Sequence, residues 1–282
     1  MIPLIDTHQH LMYKDRFTYE WAGGVPQLAE ADFPLTAYQS VIDKGQIAGS
    51  IFMETAVDKP HYQDETRFVS SLCEDPDNNI LGLIAAAFPE DEDTFDDWLE
   101  ESAENPHLVG YRRVLHVVDN AVSQGEVFRQ NVRKIGDRGK TFDLCFLESQ
   151  LDVAFDLAKA CDNTQLILNH CGVPDVASGD RKNWYEKMAR LAQLEHVAVK
   201  ISGVTAYCGP GQDVKSAVLP YIEESISLFG WDRCVWGSDW PVVNMGDGLP
   251  SWLKITKEIF DSEDAANQQK LFQDNAKRIY RL

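Results

Sequence analysis

Long apolar runs are missing from this sequence. No stretch approaches the roughly 18 consecutive apolar residues that a bilayer-crossing helix needs, so no membrane role is expected. Basic residues are scarce. The chain has 26 Lys and Arg against 45 Asp and Glu, a formal net charge of −19. Such a surface repels a phosphate backbone or an anionic lipid, which argues against a nucleic-acid partner. Closely spaced cysteine pairs are absent too. Cys73, Cys145, Cys161, Cys171, Cys208 and Cys234 are scattered and form no C-x-x-C, which reads as reduced, mostly buried thiols of a cytoplasmic protein. The opening Ile2-Pro3-Leu4-Ile5 reads as a strand and has no basic region before an apolar stretch, so no signal peptide is expected. A glycine fingerprint is lacking after that strand, where Thr7-His8-Gln9-His10 stands instead. This disfavours a doubly wound dinucleotide-binding sheet.

What the chain does have is length and a regular apolar rhythm. Its 282 residues are 44% hydrophobic, enough for one large core. Short runs rich in Val, Ile, Leu and Ala recur at Ile2–Asp6, Ala48–Glu54, Ile80–Phe88, Leu108–Leu115, Phe142–Leu147, Gln165–Asn169, Val197–Ser202 and Cys234–Gly237. Continuous apolar runs of this length fit strands buried on both faces. Between them lie helical patterns. Phe68, Val69, Leu72 and Cys73 share a face, as do Leu151, Phe155 and Ala158, and Trp252, Ile255 and Ile259. Val218, Ile222, Ile226 and Phe229 form another set, in which Pro220 should kink the helix or mark its first turn. Strands alternating with helices predict a parallel sheet, and this number of strands closes a (β/α)8 TIM-like barrel. No linker or repeat interrupts residues 1–282, which read as a single barrel domain.

In such a barrel the chemistry sits at the C-terminal strand ends. Read in order, those ends carry His8 and His10, Glu54, Phe88, Arg112 and Arg113, Glu148, Asn169 and His170, Ser202, then Ser238 and Asp239. His8 and His10 alternate on one extended segment, so both imidazoles aim the same way and suit a metal ion or a carbonyl needing polarisation. Asp239, beside Trp236 and Trp240, can take a proton from water with imidazole support. Of Arg112 and Arg113, alternation sends one inward, where a guanidinium suits a carboxylate or ring oxygen, and leaves the other to a structural ion pair. Glu54 reads as an additional metal ligand, a partner for a substrate hydroxyl or a solvated rim residue. Lys200 reads as an inward lysine needing a carboxylate partner. The long first loop carries Tyr13, Phe17, Tyr19 and Trp21, and Tyr207 with Gly209-Pro210-Gly211 offers a second loop over the mouth.

The segments IDTHQH, YEW, GYRRVLH, LILNHCGVP, VKISG, WGSDWPV and NAKRIYRL follow one another in this order. The series resembles the amidohydrolase-related (amidohydrolase 2) branch of the amidohydrolase superfamily, over essentially the whole chain. It is similar to the subgroup containing sugar-acid lactonases and 2-pyrone-4,6-dicarboxylate lactonase. The resemblance implies a TIM-like barrel and hydrolysis of a ring ester. His8 and His10 match the first-strand H-x-H pair, His170 the sixth-strand histidine, and Asp239 the eighth-strand aspartate that activates water. It also places the arginine segment at the substrate. Binuclear members have a second middle-strand histidine, but VAVKISG offers none. One divalent ion, zinc first, or none is therefore expected, held by His8, His10, His170 and Asp239, and no binuclear site.

The expected activity is that of a cytoplasmic hydrolase opening a small lactone of carbohydrate metabolism, a sugar-acid (aldono-) lactone. The catalytic residues would be Asp239 and His170, and the substrate-binding residues Arg112, Arg113, Glu54, Trp240 and Tyr207. The alternatives are a metal-dependent decarboxylase or amidohydrolase on the same barrel, or a pyrone-dicarboxylate lactonase. The partner is a small molecule, and homo-oligomerisation is left open. A net charge of −19 with few strand-end cations favours an uncharged lactone over a dicarboxylate.

Overall fold

The computed structural model describes residues 2–282. Eight strands follow one another in sequence order around a parallel sheet. They are β1 (Leu4–Gln9), β2 (Ile47–Met53), β3 (Ile80–Ala86), β4 (Leu108–Val114), β5 (Thr141–Cys145), β6 (Leu166–Leu168), β7 (Val197–Ile201) and β8 (Cys234–Trp236). The barrel closes where β1 meets the segment after β8. Asp239 N donates to His8 O at 2.8 Å and His10 N to Trp240 O at 2.7 Å. All eight apolar runs become strands. The first runs further than Ile2–Asp6 because its polar residues find partners on both neighbours. The Thr7 hydroxyl donates to Trp236 O, and Ser50 Oγ donates to Gln9 Oε1.

Period two along each strand sorts inside from outside. Ile5, Ile51, Met53, Ile84, Ile167, Ala198 and Val235 form the barrel interior with Ala276, Ile279 and Tyr280 of the last helix. That helix (Asn275–Tyr280) lies against the N-terminal strand ends, where Asn275 Nδ2 donates to Cys234 O. The outward strand faces, such as Leu4, Phe52, Leu83, Tyr111 and Leu144, join the helices in one larger core. Helices Tyr62–Cys73, Glu126–Asp137, Leu151–Ala160 and Lys182–Ala192 each bury one face on it. Pro220 falls inside helix Val214–Phe229, past its first turn. No helix of the described residues is long and apolar enough to cross a membrane. The interior is thus plugged at the N-terminal end and filled by aliphatic layers, which leaves the C-terminal end for polar groups.

Candidate active site at the barrel mouth

Four of the predicted residues converge. His8 Nε2 lies 3.2 Å from His10 Nε2. Asp239 Oδ1 lies 3.6 Å from the first and 3.5 Å from the second, and Asp239 Oδ2 lies 3.9 Å from His170 Nδ1. All four side chains are buried. The local backbone explains how they meet. His170 (φ 54°) and Asp239 (φ 58°) both sit in the left-handed region, as do Cys171 and Val173. For non-glycine residues this costs of order 1–3 kcal/mol each, and such residues cluster at functional sites. Two glycines make the room. A Cβ on Gly203, at φ +67°, would stand 2.5 Å from His170 Nδ1, and one on Gly237 would stand 2.8 Å from the His8 Cβ. Asp6 stitches the halves together. Its Oδ1 accepts from Ser238 N and His8 N, and its Oδ2 from the Tyr38 hydroxyl.

Hydrogen-bond partners fix what each imidazole can do. His10 Nδ1 faces Met53 O at 3.0 Å. A carbonyl only accepts, so Nδ1 carries the proton and Nε2 turns a lone pair toward the cluster, the arrangement usual for a metal-ligating histidine. Burial pushes His10 down to about 3 and His170 down to about 4, so both are neutral at pH 7. Burial likewise pushes His8 well down. Burial raises Asp239, and the neighbouring His170, Arg112 and Lys200 oppose that rise. Asp239 Oδ2 is buried and has no hydrogen-bond partner. A lone-pair nitrogen, two further imidazoles and a carboxylate oxygen without a partner form a donor set that fits one divalent ion. His8, His170 and Asp239 offer ligand atoms within 4.8 Å of one another, the one such group among the described residues.

A second set of buried charges lies directly beneath. Lys200 points inward from β7, fully buried, and its Nζ donates to Asp143 Oδ1 at 2.8 Å and Thr7 O at 2.8 Å. It also lies 3.3 Å from His8 Nδ1. Asp143 of β5 further accepts from Asn169 Nδ2, and Ser202 Oγ pairs with His170 Nδ1 at 2.9 Å. The inward carboxylate Asp143, and Asp6, which faces Tyr38 and Ser238, were not singled out from the sequence. A lone acidic residue in the apolar strand TFDLC, at the inward phase of period two, is the signal that could have found Asp143.

Alternation turns Arg112 inward. It is buried, pairs with Glu54 Oε1 at 2.5 Å and reaches His8 Nε2 at 3.3 Å. Glu54 is not a solvated rim residue: it is buried, lines the cavity and is the counter-charge of Arg112. A buried guanidinium without one would be far costlier. Arg113 pairs with Glu90 at 2.8 Å and stacks on Phe88.

A cavity of about 570 Å³ opens above this floor. His10, His170, Asp239, Arg112 and Glu54 reach it, and so does Tyr207, whereas His8 lies behind them. Trp240 is a correction to the expected substrate-binding set. It is buried against Phe33 and Tyr38 and does not line the cavity, because closing β1 onto β8 turns its ring into the core. Tyr13, Phe17 and Tyr19 of the first loop are likewise used for packing, the first two against Phe68. Trp21 alone of that set reaches the cavity, its Nε1 donating to Thr55 O.

Comparison with known proteins agrees with the barrel fold. The chain is 24% identical over 294 residues to L-fucono-1,5-lactonase of Burkholderia multivorans, covering 99% of this chain and 96% of that protein. It is 23% identical to 4-sulfomuconolactone hydrolase of Rhizobium radiobacter, over 98% of this chain and 89% of that one. The crystal structure of an amidohydrolase from Burkholderia multivorans with bound zinc shares the fold at a TM-score of 0.88, with 23% identity and 99% of each chain covered. The amidohydrolase family model matches residues 5–282, so this chain belongs to the amidohydrolase family and is a hydrolase.

Proposed function

We propose that the protein opens an uncharged lactone by water attack at the barrel mouth. The observation that carries this reading is the buried carboxylate of Asp239, with one oxygen lacking a hydrogen-bond partner, set among three neutral imidazoles at the floor of the cavity. In this reading Asp239 takes a proton from water as the water attacks the carbonyl, and returns it to the ring oxygen as the ester bond breaks. Burial raises the aspartate and makes it the stronger base. His170, held by Ser202, faces the same space and orients the reacting groups. His10 has no proton on Nε2 to give to a carbonyl oxygen, so its part is to hold a cation. Arg112, on the cavity wall, supplies positive charge where the oxyanion develops. One divalent ion, zinc first, would be held by His8, His10, His170 and Asp239. When bound, it would supply carbonyl polarisation and a lowered water pKa, toward about 7.

The cations argue for an uncharged substrate. Each one at the cavity already has a carboxylate: Arg112 has Glu54, Arg113 has Glu90, and Lys59 has Asp91 at 2.6 Å. Arg181 pairs with Glu224 and does not line the cavity. Glu20 and Asp58 add negative charge to the wall. A dicarboxylate would therefore enter with poorly matched charge. Neutral sugar-acid lactones remain within the proposed class, supported by the fuconolactonase relative.

The test is a panel of neutral lactones and the pyrone dicarboxylate, at low and high salt, read by acid release. Neutral lactones should turn over faster, with little salt dependence. Faster opening of the dicarboxylate, lost steeply as salt rises, would overturn the charge argument. Elemental analysis of the same preparation should find at most one equivalent of zinc or a similar ion. Two tightly held equivalents would overturn the single-ion reading.

A further inference from the structure

The cavity has two unlike sides. The acid–base cluster comes from the ends of β1, β6 and β8. The opposite arc, at the ends of β3, β4 and β5, presents Ala86, Ala87, Phe88, Val114, Val117 and Leu147. At the rim this apolar surface is open to solvent: Val117 is 67% exposed and Leu147 40%, and Trp21 of the first loop, 38% exposed, lines the same cavity. Large apolar side chains left exposed together around a cavity mouth mark a binding surface.

Several polar groups around the cavity are committed elsewhere, while Glu20, Asp58, His116 and Tyr207 also line it. Glu54 holds Arg112 and accepts from Ala56 N. Asn169 donates to Asp143, and Ser202 is bonded to His170. The Thr55 hydroxyl donates to Leu11 O. Arg113 and Lys59 lie against the Phe88 ring and are paired with carboxylates. Burying hydroxyls against Val, Leu and Ala without partners is unfavourable, whereas burying methylenes there is favourable.

We propose that the non-reacting part of the substrate is an apolar substituent. The lactone carries an alkyl or aryl group that lies against the β3–β5 arc while the ring carbonyl faces Asp239 and His170. This rests on the lactone reading and narrows it from uncharged lactones to those with an apolar side group.

The experiment compares δ-valerolactone, δ-hexalactone, δ-octalactone and δ-decalactone with glucono-δ-lactone by kcat/KM. In parallel, calorimetry measures binding of the matching δ-lactams, which resist hydrolysis. Both kcat/KM and lactam affinity should rise about fourfold per buried methylene until the arc is covered. The alkyl lactones should exceed gluconolactone, and the double variant Val117→Asn/Leu147→Asn should cut the gain per methylene to less than twofold. Lactones opened with no dependence on chain length, or with gluconolactone preferred, would overturn this proposal and leave the lactonase reading standing. A rising lactam series with no lactone opened would support the apolar arc and overturn the lactonase reading. A flat lactam series with no turnover would overturn both.

Discussion

Replacing Asp239 by Asn should reduce kcat by about 10²–10⁴ while leaving KM and thermal stability close to wild type, the usual cost of losing a general base. Asn is nearly isosteric with Asp and tolerates the left-handed backbone that Asp239 adopts, so the turn after β8 has no reason to rearrange. The main-chain bond from Asp239 N to His8 O, which helps close the barrel, does not involve the side chain. What changes is the pair of oxygens. Oδ1 faces two imidazole nitrogens at 3.5 and 3.6 Å, and Oδ2 has no hydrogen-bond partner to satisfy. An amide there cannot accept a proton from water. The measurement is steady-state turnover beside a thermal melt. Activity within threefold of wild type, in a folded variant, would remove Asp239 from the role of base.

Much of this arrangement was legible in the sequence, because strand ends and chemistry coincide. Short apolar runs alternating with helical patterns fit strands buried on both faces, so each run announces its own C-terminal end. His8, His10, Arg112, His170 and Asp239 fall there. The H-x-H spacing brings the His8 and His10 Nε2 atoms to the same point. Pairing between distant strands was not legible. The Glu54–Arg112 pair joins β2 to β4, and the Lys200–Asp143 pair joins β7 to β5. Nothing local marks which inward charges will share a layer of the barrel. Trp240 shows a second limit. Its direction depends on how the loop after β8 folds back onto β1, and period two stops at the strand end. The first loop shows a third. Tyr13, Phe17 and Tyr19 have the composition of a sugar-stacking surface but are used to pack the loop down.

The Lys200–Asp143 pair should carry the largest stability effect in the protein. Both side chains are fully buried in the barrel interior, at 0% exposure to solvent. Burial pushes Lys200 down and Asp143 up, and each opposes the shift of the other. Lys200→Met keeps the length of the side chain but strands Asp143, whose remaining partner is Asn169 Nδ2 and whose Oδ2 already has none. Breaking a buried pair from one side costs about 3–5 kcal/mol. The double variant Lys200→Met/Asp143→Asn removes both charges and keeps an acceptor for Asn169, so it should recover most of that loss in urea denaturation. Function should not recover with it. Lys200 Nζ also holds Thr7 O at 2.8 Å and stands 3.3 Å from His8 Nδ1, fixing the segment that aims the H-x-H pair. Loss of such supporting contacts behind a ligating histidine typically costs about 10–100-fold in activity or metal affinity. Zinc affinity and kcat of the double variant should therefore fall together although its stability returns. A single variant within about 1 kcal/mol of wild type would show that the pair is energetically neutral, against the range expected for a broken buried pair. A stable double variant with full activity and unchanged zinc affinity would show that Lys200 serves the fold and has no part in positioning His8.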